Sequence, residues 1–487
     1  MAQPESSERN WIWLLCVLAA VHVFIFSAAF PFFNNVDENI HFDLVIKYSH
    51  GTIPRTLAPI SEETLAYVAA HGSPEYRSAM KGPTQTAAGE PTAAAQPTAK
   101  FAAEKNYESA QPPLYYQLAG TCWNLGKAAG LHDRGLLYTI RFLNSLLVGA
   151  LVWLGYLTAR TIFPERMLPR IGVPALIAFM PQTAFYSIQN DVLSPVCFGA
   201  TFICLVRWLR VEKPDGRLGI ATGLTLAATG LTKFANLPLL LMAALVLVGK
   251  TWQWFRAGKL RASLPMLAWL ALGAGLPLAL WGLWCKQNFG DFTGSEMKIH
   301  YLGWTHKPFS EWWHHPLFTP QGCWTFSSEL MVTFWQGEII WHMQSLNLPA
   351  INAMYTVLSF SFLGLALHGL LTRSATTDRP QRQALWLAGG SFVAAAAFLG
   401  FLSIIYDFQL CLGPSREHPY FTTGRLMLGA LIPFLVLFLF GLDHLLETIK
   451  RDRTRLLILA GLVWFMLGSE IITDWPVFFS PYNWFHN

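Results

Sequence analysis

Three kinds of residue in this sequence carry the chemistry of a reaction site, and each stands beside a long apolar run. Acids come first: Asp37 and Glu38 in "NNVDENIHFDLVIKY", directly after an apolar segment, and Asp191, next to Asn190, in "FYSIQNDVLSP". A carboxylate so placed can take a proton from an attacking hydroxyl. Cations come second: Arg141 in "YTIRFLNSLL", Lys233 in "LTKFANLPLL" and Arg425 in "YFTTGRLML". Arg grips phosphate with a planar fork and Lys meets it as a point charge, so together they suit an anionic ligand. Polar neighbours come third: His41, four residues after Asp37, and Glu108, Gln111 and Tyr115 in "YESAQPPLYY".

Each has a plainer explanation. An acid in the first turn of a helix favours its dipole, and Asn34 or Asn35 is placed to cap a short amphipathic helix through "DENIHFDLVIKY" on the outer surface. His41 would share a face with Asp37 and simply bond to it. Asp191 equally suits a helix start ahead of "VLSP". A lone cation near a bilayer edge can snorkel to lipid phosphate. Glu108 and Gln111 are ordinary flanks for a helix opened by Pro112 and Pro113. What favours one shared site is common sidedness, and that depends on the elements.

The 487 residues are 53% hydrophobic and only 13% charged, with mean hydropathy +0.35. That is too little charge to cover a soluble surface of this size. Apolar runs of about 20 residues between short basic loops predict an all-α polytopic membrane protein. About eleven spans are expected, near 11–32, 137–158, 171–187, 192–208, 218–231, 234–248, 264–285, 351–371, 384–405, 426–446 and 456–472. No convincing small-residue cleavage site follows the first apolar run, so it reads as an uncleaved span. The net charge of +5 sits mostly in loops and reports topology rather than nucleic-acid binding. The seven cysteines form no C-x-x-C pair; Cys285, Cys323 and Cys411 share the expected outer face, which leaves room for one disulfide of open pairing.

The segment 112–129 is apolar enough to be a further span, and the positive-inside rule decides against it. If it does not cross, the basic clusters at 160–170, 207–217, 250–261, 373–382 and 450–455 all fall on the cytoplasmic side; if it does, all fall outside. It therefore reads as an interfacial or re-entrant helix, with the N-terminus inside and the C-terminus outside. Three long outer segments follow, at 33–135, 286–350 and 406–423, and 82–99 within the first reads as a mobile low-complexity linker. Residues 1–446 then form the working module, and 447–487 a basic cytoplasmic loop, a last span and a short outer tail. The His-rich "WTHKPFSEWWHHP" lacks the i, i+4 spacing of a helical metal pair and reads as interfacial aromatic packing.

On this topology Asp37, Glu38, Glu108, Gln111, Arg141, Asn190, Asp191, Lys233 and Arg425 all sit at one membrane face. The order "VDENIHF", "ESAQPPLYY", "IRFLNSLL", "IQNDVLSP", "TKFANLPLL", "TTGRLML" resembles the GT-C membrane glycosyltransferases, such as the protein O-mannosyltransferases and the lipid A aminoarabinose transferases. It is most similar to a bacterial branch of predicted glycosyltransferases. The resemblance runs over about 34–425; each motif alone is weak, and their order and sidedness carry it.

The resemblance implies a GT-C-like fold and a polyprenyl-phosphate-linked sugar donor at the outer face of a bacterial inner membrane. It implies a glycan, lipid or protein acceptor. Asp37 matches the catalytic base, Asp191 the second acid, and Arg141 and Lys233 the lipid-phosphate contacts. Gln111 stands where those relatives carry Lys or His, a departure that puts its phosphate contact in question. A divalent metal, Mg or Mn, stays open. The rival class is a transporter or flippase of an anionic lipid, which would also want polar groups deep within its spans, and those are scarce. A scaffold-only membrane protein comes third.

Overall fold

The computed structural model describes residues 6–73, 75, 101, 104–342, 344–372, 378–409, 411 and 414–486. The expected linker at 82–99 lies outside these residues, as does Arg373. Among the described residues nine helices are long and apolar enough to cross a membrane. They are Ser7–Ala29, Arg134–Ile162, Asn190–Arg210, Phe234–Arg256, Leu260–Phe289, Pro349–Thr372, Arg379–Ile405, Gly424–Thr448 and Asp452–Thr473.

The expected third and fifth spans account for the difference from eleven. The third is a 12-residue helix, Met167–Ala178. Pro174 within it and Pro181 beyond it remove backbone donors and stop a continuous helix. The chain goes on as short 3₁₀ turns at Thr183–Tyr186 and Asn190–Val192. Irregular backbone is tolerated deep in such a protein only where protein surrounds it. Here residues 180–195 are all buried, and side-chain amides satisfy the backbone. Asn144 Nδ2 donates to the carbonyls of Phe185 (3.2 Å) and Ser187 (2.8 Å), and Gln182 Nε2 to that of Phe334 (2.7 Å). The fifth is the 17-residue helix Gly216–Thr232, capped by Asp215 and ended by extended backbone at Lys233.

On the expected outer side, the helix Glu38–Ser49 is not the surface amphipath anticipated. Nine of its 12 residues are buried, because the helices Glu62–His71 and Leu114–Ala128 close over it. Trp123 packs edge-on against Phe42 and Tyr67, and Asn124 Nδ2 donates to Ser49 O at 2.8 Å. Asp43 staples the loop between, accepting from Ser61 N (2.8 Å), Asn106 Nδ2 (2.7 Å) and Lys47 Nζ (2.5 Å). Leu114–Ala128 has 15 residues, too few to span. All seven cysteines, Cys285, Cys323 and Cys411 included, are free thiols.

Two glycines set the loops that carry Glu338 and Arg425. Gly337 has φ +77°, and a Cβ there would lie 2.1 Å from Thr183 Oγ1. A Cβ on Gly424 would lie 2.2 Å from Phe334 N. Only glycine lets the backbone before Glu338 and Arg425 come this close.

Candidate functional site

The adjacent acids Asp37 and Glu38 point to different tasks. Glu38 opens its helix but faces the interior. Its Oε1 accepts from Arg141 Nε (2.8 Å) and Ile188 N (3.0 Å), and its Oε2 from Arg141 Nη2 (2.7 Å) and Phe33 N (2.9 Å). Arg141 also donates from Nη1 to Ser27 O (3.1 Å) and Phe30 O, and from Nη2 to Pro31 O (3.0 Å), with its plane over the Phe32 ring. Both side chains have 0% exposure. This forked pair ties the end of the first span to the start of the second. It leaves Arg141 turned into the protein rather than toward the site where a lipid phosphate was expected.

Asp37 occupies the N-cap position yet does not cap. Its backbone is left-handed (φ 65°), a conformation Asp tolerates better than most residues, and its side chain bonds no backbone N–H. Neither Asn34 nor Asn35 caps in its place. The Asp37 carboxylate instead accepts from Tyr107 Oη (2.6 Å) and Arg425 Nη2 (2.5 Å). Burial works to raise its pKa, but the Arg425 charge and the Tyr107 hydroxyl outweigh that and hold it well below the usual carboxylate range.

Arg425 is the hub. Besides Asp37 it donates from Nη1 to Gln189 Oε1 (2.9 Å) and Asp191 Oδ2 (3.3 Å), and from Nε to Glu338 Oε2 (3.1 Å). Lys233 donates to Asp191 Oδ1 at 2.6 Å, and Asp191 is fully buried. Three carboxylates thus share two cations. The ends of the network are the open part: Asp37 and Glu338 side chains are 22% and 25% exposed.

A second polar group adjoins it. Glu108 accepts from Lys298 Nζ (2.5 Å) and Gln111 Nε2 (2.5 Å), and Asn190 Nδ2 donates to Gln111 Oε1 (3.3 Å) and Thr232 O (3.1 Å). Burial opposes ionisation of Glu108, but Lys298 prevails and lowers its pKa. His41 does not bond the Asp37 side chain. Its ring meets Tyr116 Oη at 2.7 Å, and its backbone N–H donates to Asp37 O. Burial lowers the His41 pKa to about 4, with Glu108 opposing and Lys233 assisting, so it is neutral at pH 7. Tyr115 is fully buried, its ring edge-on to that of Tyr116.

Sequence reasoning missed Glu338, Lys298, Tyr107 and Gln189. Glu338 had one available signal: it is the single acid in the aromatic-rich "TFWQGEIIWHM". As for a metal, no group of three His, Cys, Asp or Glu is placed to hold one among the described residues. Asp37 and Asp191, the natural ligands, are both engaged by Arg425, so the arrangement offers a divalent ion no ready donor set.

Among the described residues nine helices have membrane-spanning length, and with the family match they make the chain a multi-pass helical membrane protein. It belongs to the family described as Predicted membrane protein (DUF2142), which matches residues 21–399. No curated protein sequence matches it. Among solved structures, the Archaeoglobus fulgidus oligosaccharyltransferase in complex with Zn and sulfate is similar at 11% identity and TM-score 0.46, over 96% of this chain and 53% of that one. Oligosaccharyltransferase AglB from the same archaeon, in complex with an inhibitory peptide and a dolichol-phosphate, gives 10% and 0.45, over 98% and 57%. ArnT from Cupriavidus metallidurans, bound to undecaprenyl phosphate, gives 13% and 0.33, over 90% and 78%. The chain spans about half the length of the oligosaccharyltransferase chains it resembles.

Proposed function

We propose that this protein is an inverting GT-C-type glycosyltransferase that moves a sugar from a polyprenyl-phosphate donor to an acceptor hydroxyl at the outer face of a bacterial inner membrane. The observation that carries the reading is the single network joining Asp37 to Arg425, Asp191 and Lys233. It puts a proton acceptor beside two cations at the ends of membrane helices. Asp37 takes the proton of the acceptor O–H. The oxygen then forms a bond to the anomeric carbon from the face opposite the phosphate, and the carbon–oxygen bond to phosphate breaks. Polyprenyl phosphate leaves with the electron pair, and Arg425 and Lys233 hold its charge. Asp191 keeps both cations in place. Glu38 and Arg141 fix the backbone on which Asp37 stands. No step is routed through a metal.

The test is turnover with a polyprenyl-phosphate sugar. Asp37→Asn keeps the shape but removes proton acceptance, and should lower turnover by about 10²–10⁴-fold while the donor still binds. Lys233→Ala should weaken donor binding by roughly tenfold or more, the worth of a charge-assisted contact. Full turnover in Asp37→Asn sinks the base assignment; unchanged donor binding in Lys233→Ala sinks the phosphate site.

A further inference from the structure

The network contains a conflict that the proposed reaction must resolve. Both oxygens of Asp37 are in use, one by Tyr107 and one by Arg425. A carboxylate held this way accepts a proton poorly. The cations are in use as well: Lys233 by Asp191, and Arg425 by three carboxylates and an amide. One contact, Asp37 with Arg425, therefore blocks both the base and a cation of the phosphate site.

The way Arg425 is divided shows how one event frees both. A guanidinium has a two-donor edge, Nε with Nη2, that grips one phosphate or one carboxylate in parallel bonds. In Arg425 this edge is split: Nε goes to Glu338 and Nη2 to Asp37. Its other side, Nη1, is tied to Asp191 and Gln189, whose side chains are buried. The split edge faces the partly open carboxylates and the tied side faces the closed ones. A single tetrahedral anion can replace both open partners without moving the tied side.

We infer that Arg425 is a switch: without donor its two-donor edge is shared by Glu338 and Asp37, and an entering phosphate ester takes that edge and releases Asp37 to act as base. The inference rests on the glycosyl-transfer reading. It makes Glu338 a positioning residue that holds Arg425 ready, and it makes Asp37 and phosphate competitors for one group.

Competition has a distinctive sign. Equilibrium binding of undecaprenyl phosphate to the full chain in lipid nanodiscs should tighten, not weaken, in Glu338→Gln and in Asp37→Asn. The gain should be roughly three- to tenfold, since each variant removes one of the carboxylates contending for the edge. The same substitutions made in an Arg425→Gln background should give no gain. Arg425→Lys keeps the charge but lacks the two-donor edge, and it serves if Arg425→Gln does not fold; the gain should shrink there too. If the unsubstituted protein binds undecaprenyl phosphate but Glu338→Gln and Asp37→Asn bind it no better, the switch is overturned while the transferase reading stands. A gain that persists without the Arg425 edge is a general field effect and also overturns it. If undecaprenyl phosphate does not bind at all, the transferase reading itself falls.

Discussion

Glu38→Gln separates an anchor from a working acid, and the structure sets the size of the effect. The substitution keeps the shape of the side chain and removes its charge. Arg141 then stays buried with 0% exposure and no counter-ion. Breaking a buried ion pair from one side costs about 3–5 kcal/mol. Two features decide where in that range the cost falls. Arg141 keeps three carbonyl acceptors, at Ser27, Phe30 and Pro31, which soften the loss. Against that, both oxygens of Glu38 receive one Arg141 donor and one backbone N–H, so the amide group of Gln must face two donors whichever way it turns. The second effect leaves unsatisfied buried N–H groups, each worth about 1–3 kcal/mol, and places the cost toward the upper end. The folded-to-unfolded ratio should fall by roughly 10²–10⁴-fold, read as a lower unfolding midpoint in denaturant with the protein in detergent. Molecules that remain folded should keep turnover within about threefold, because Glu38 has no contact with Asp37's partners. A variant that is as stable as the parent but inactive refutes the argument and moves Glu38 into the chemistry.

Other outcomes are as definite. His41 is held neutral, its pKa lowered from 6.5 to about 4, so the stability it contributes is complete above pH 6.5 and is lost as pH falls toward 4. That difference is worth roughly 3 kcal/mol, and thermal unfolding of His41→Gln should lose less than the parent over this window. Asp37, lowered instead, loses its contribution only below its unfolded value of 3.8, outside that window. Gly337→Ala should cost about 1–3 kcal/mol from its left-handed backbone alone, more from the contact with Thr183, and should lower turnover by displacing Glu338. For topology, thiol labelling of Leu125→Cys and His300→Cys should occur from the outside and of Phe255→Cys from the inside; opposite results for the first two mean that Leu114–Ala128 is not an outer helix.

Much of this was legible because charge is conspicuous beside apolar runs. Asp37, Asp191, Lys233 and Arg425 each stand where a long hydrophobic segment begins or ends, and the structure brings all four into one network. Arg141 looks identical by that criterion. Only packing distinguishes it, because its partner Glu38 lies 103 positions away and nothing local announces a fork between them. Glu338 and Lys298 were hidden for the converse reason: they lie in the long 286–350 segment, where no periodicity ranks one polar residue over another. The third expected span is not one continuous helix, because summed hydropathy ignores where prolines break it. Residues 179–187 are apolar enough to extend it, yet Pro181 forces them into turns that carry Gln189, Asn190 and Asp191 to the site.

The two neighbouring acids also differ in when their partners exist. Chains are made at about 5–20 residues per second. Arg141 follows Glu38 by 103 residues, so the anchor can close roughly 5–20 s after Glu38 is made. Arg425 follows Asp37 by 388 residues, and its partner is absent for roughly 20–80 s. Once the anchor closes, the backbone beside Asp37 is fixed while its cation is still to be made. The Glu38 half of the acidic pair can be completed early in synthesis, and Asp37 receives its cation only when the helix Gly424–Thr448 begins.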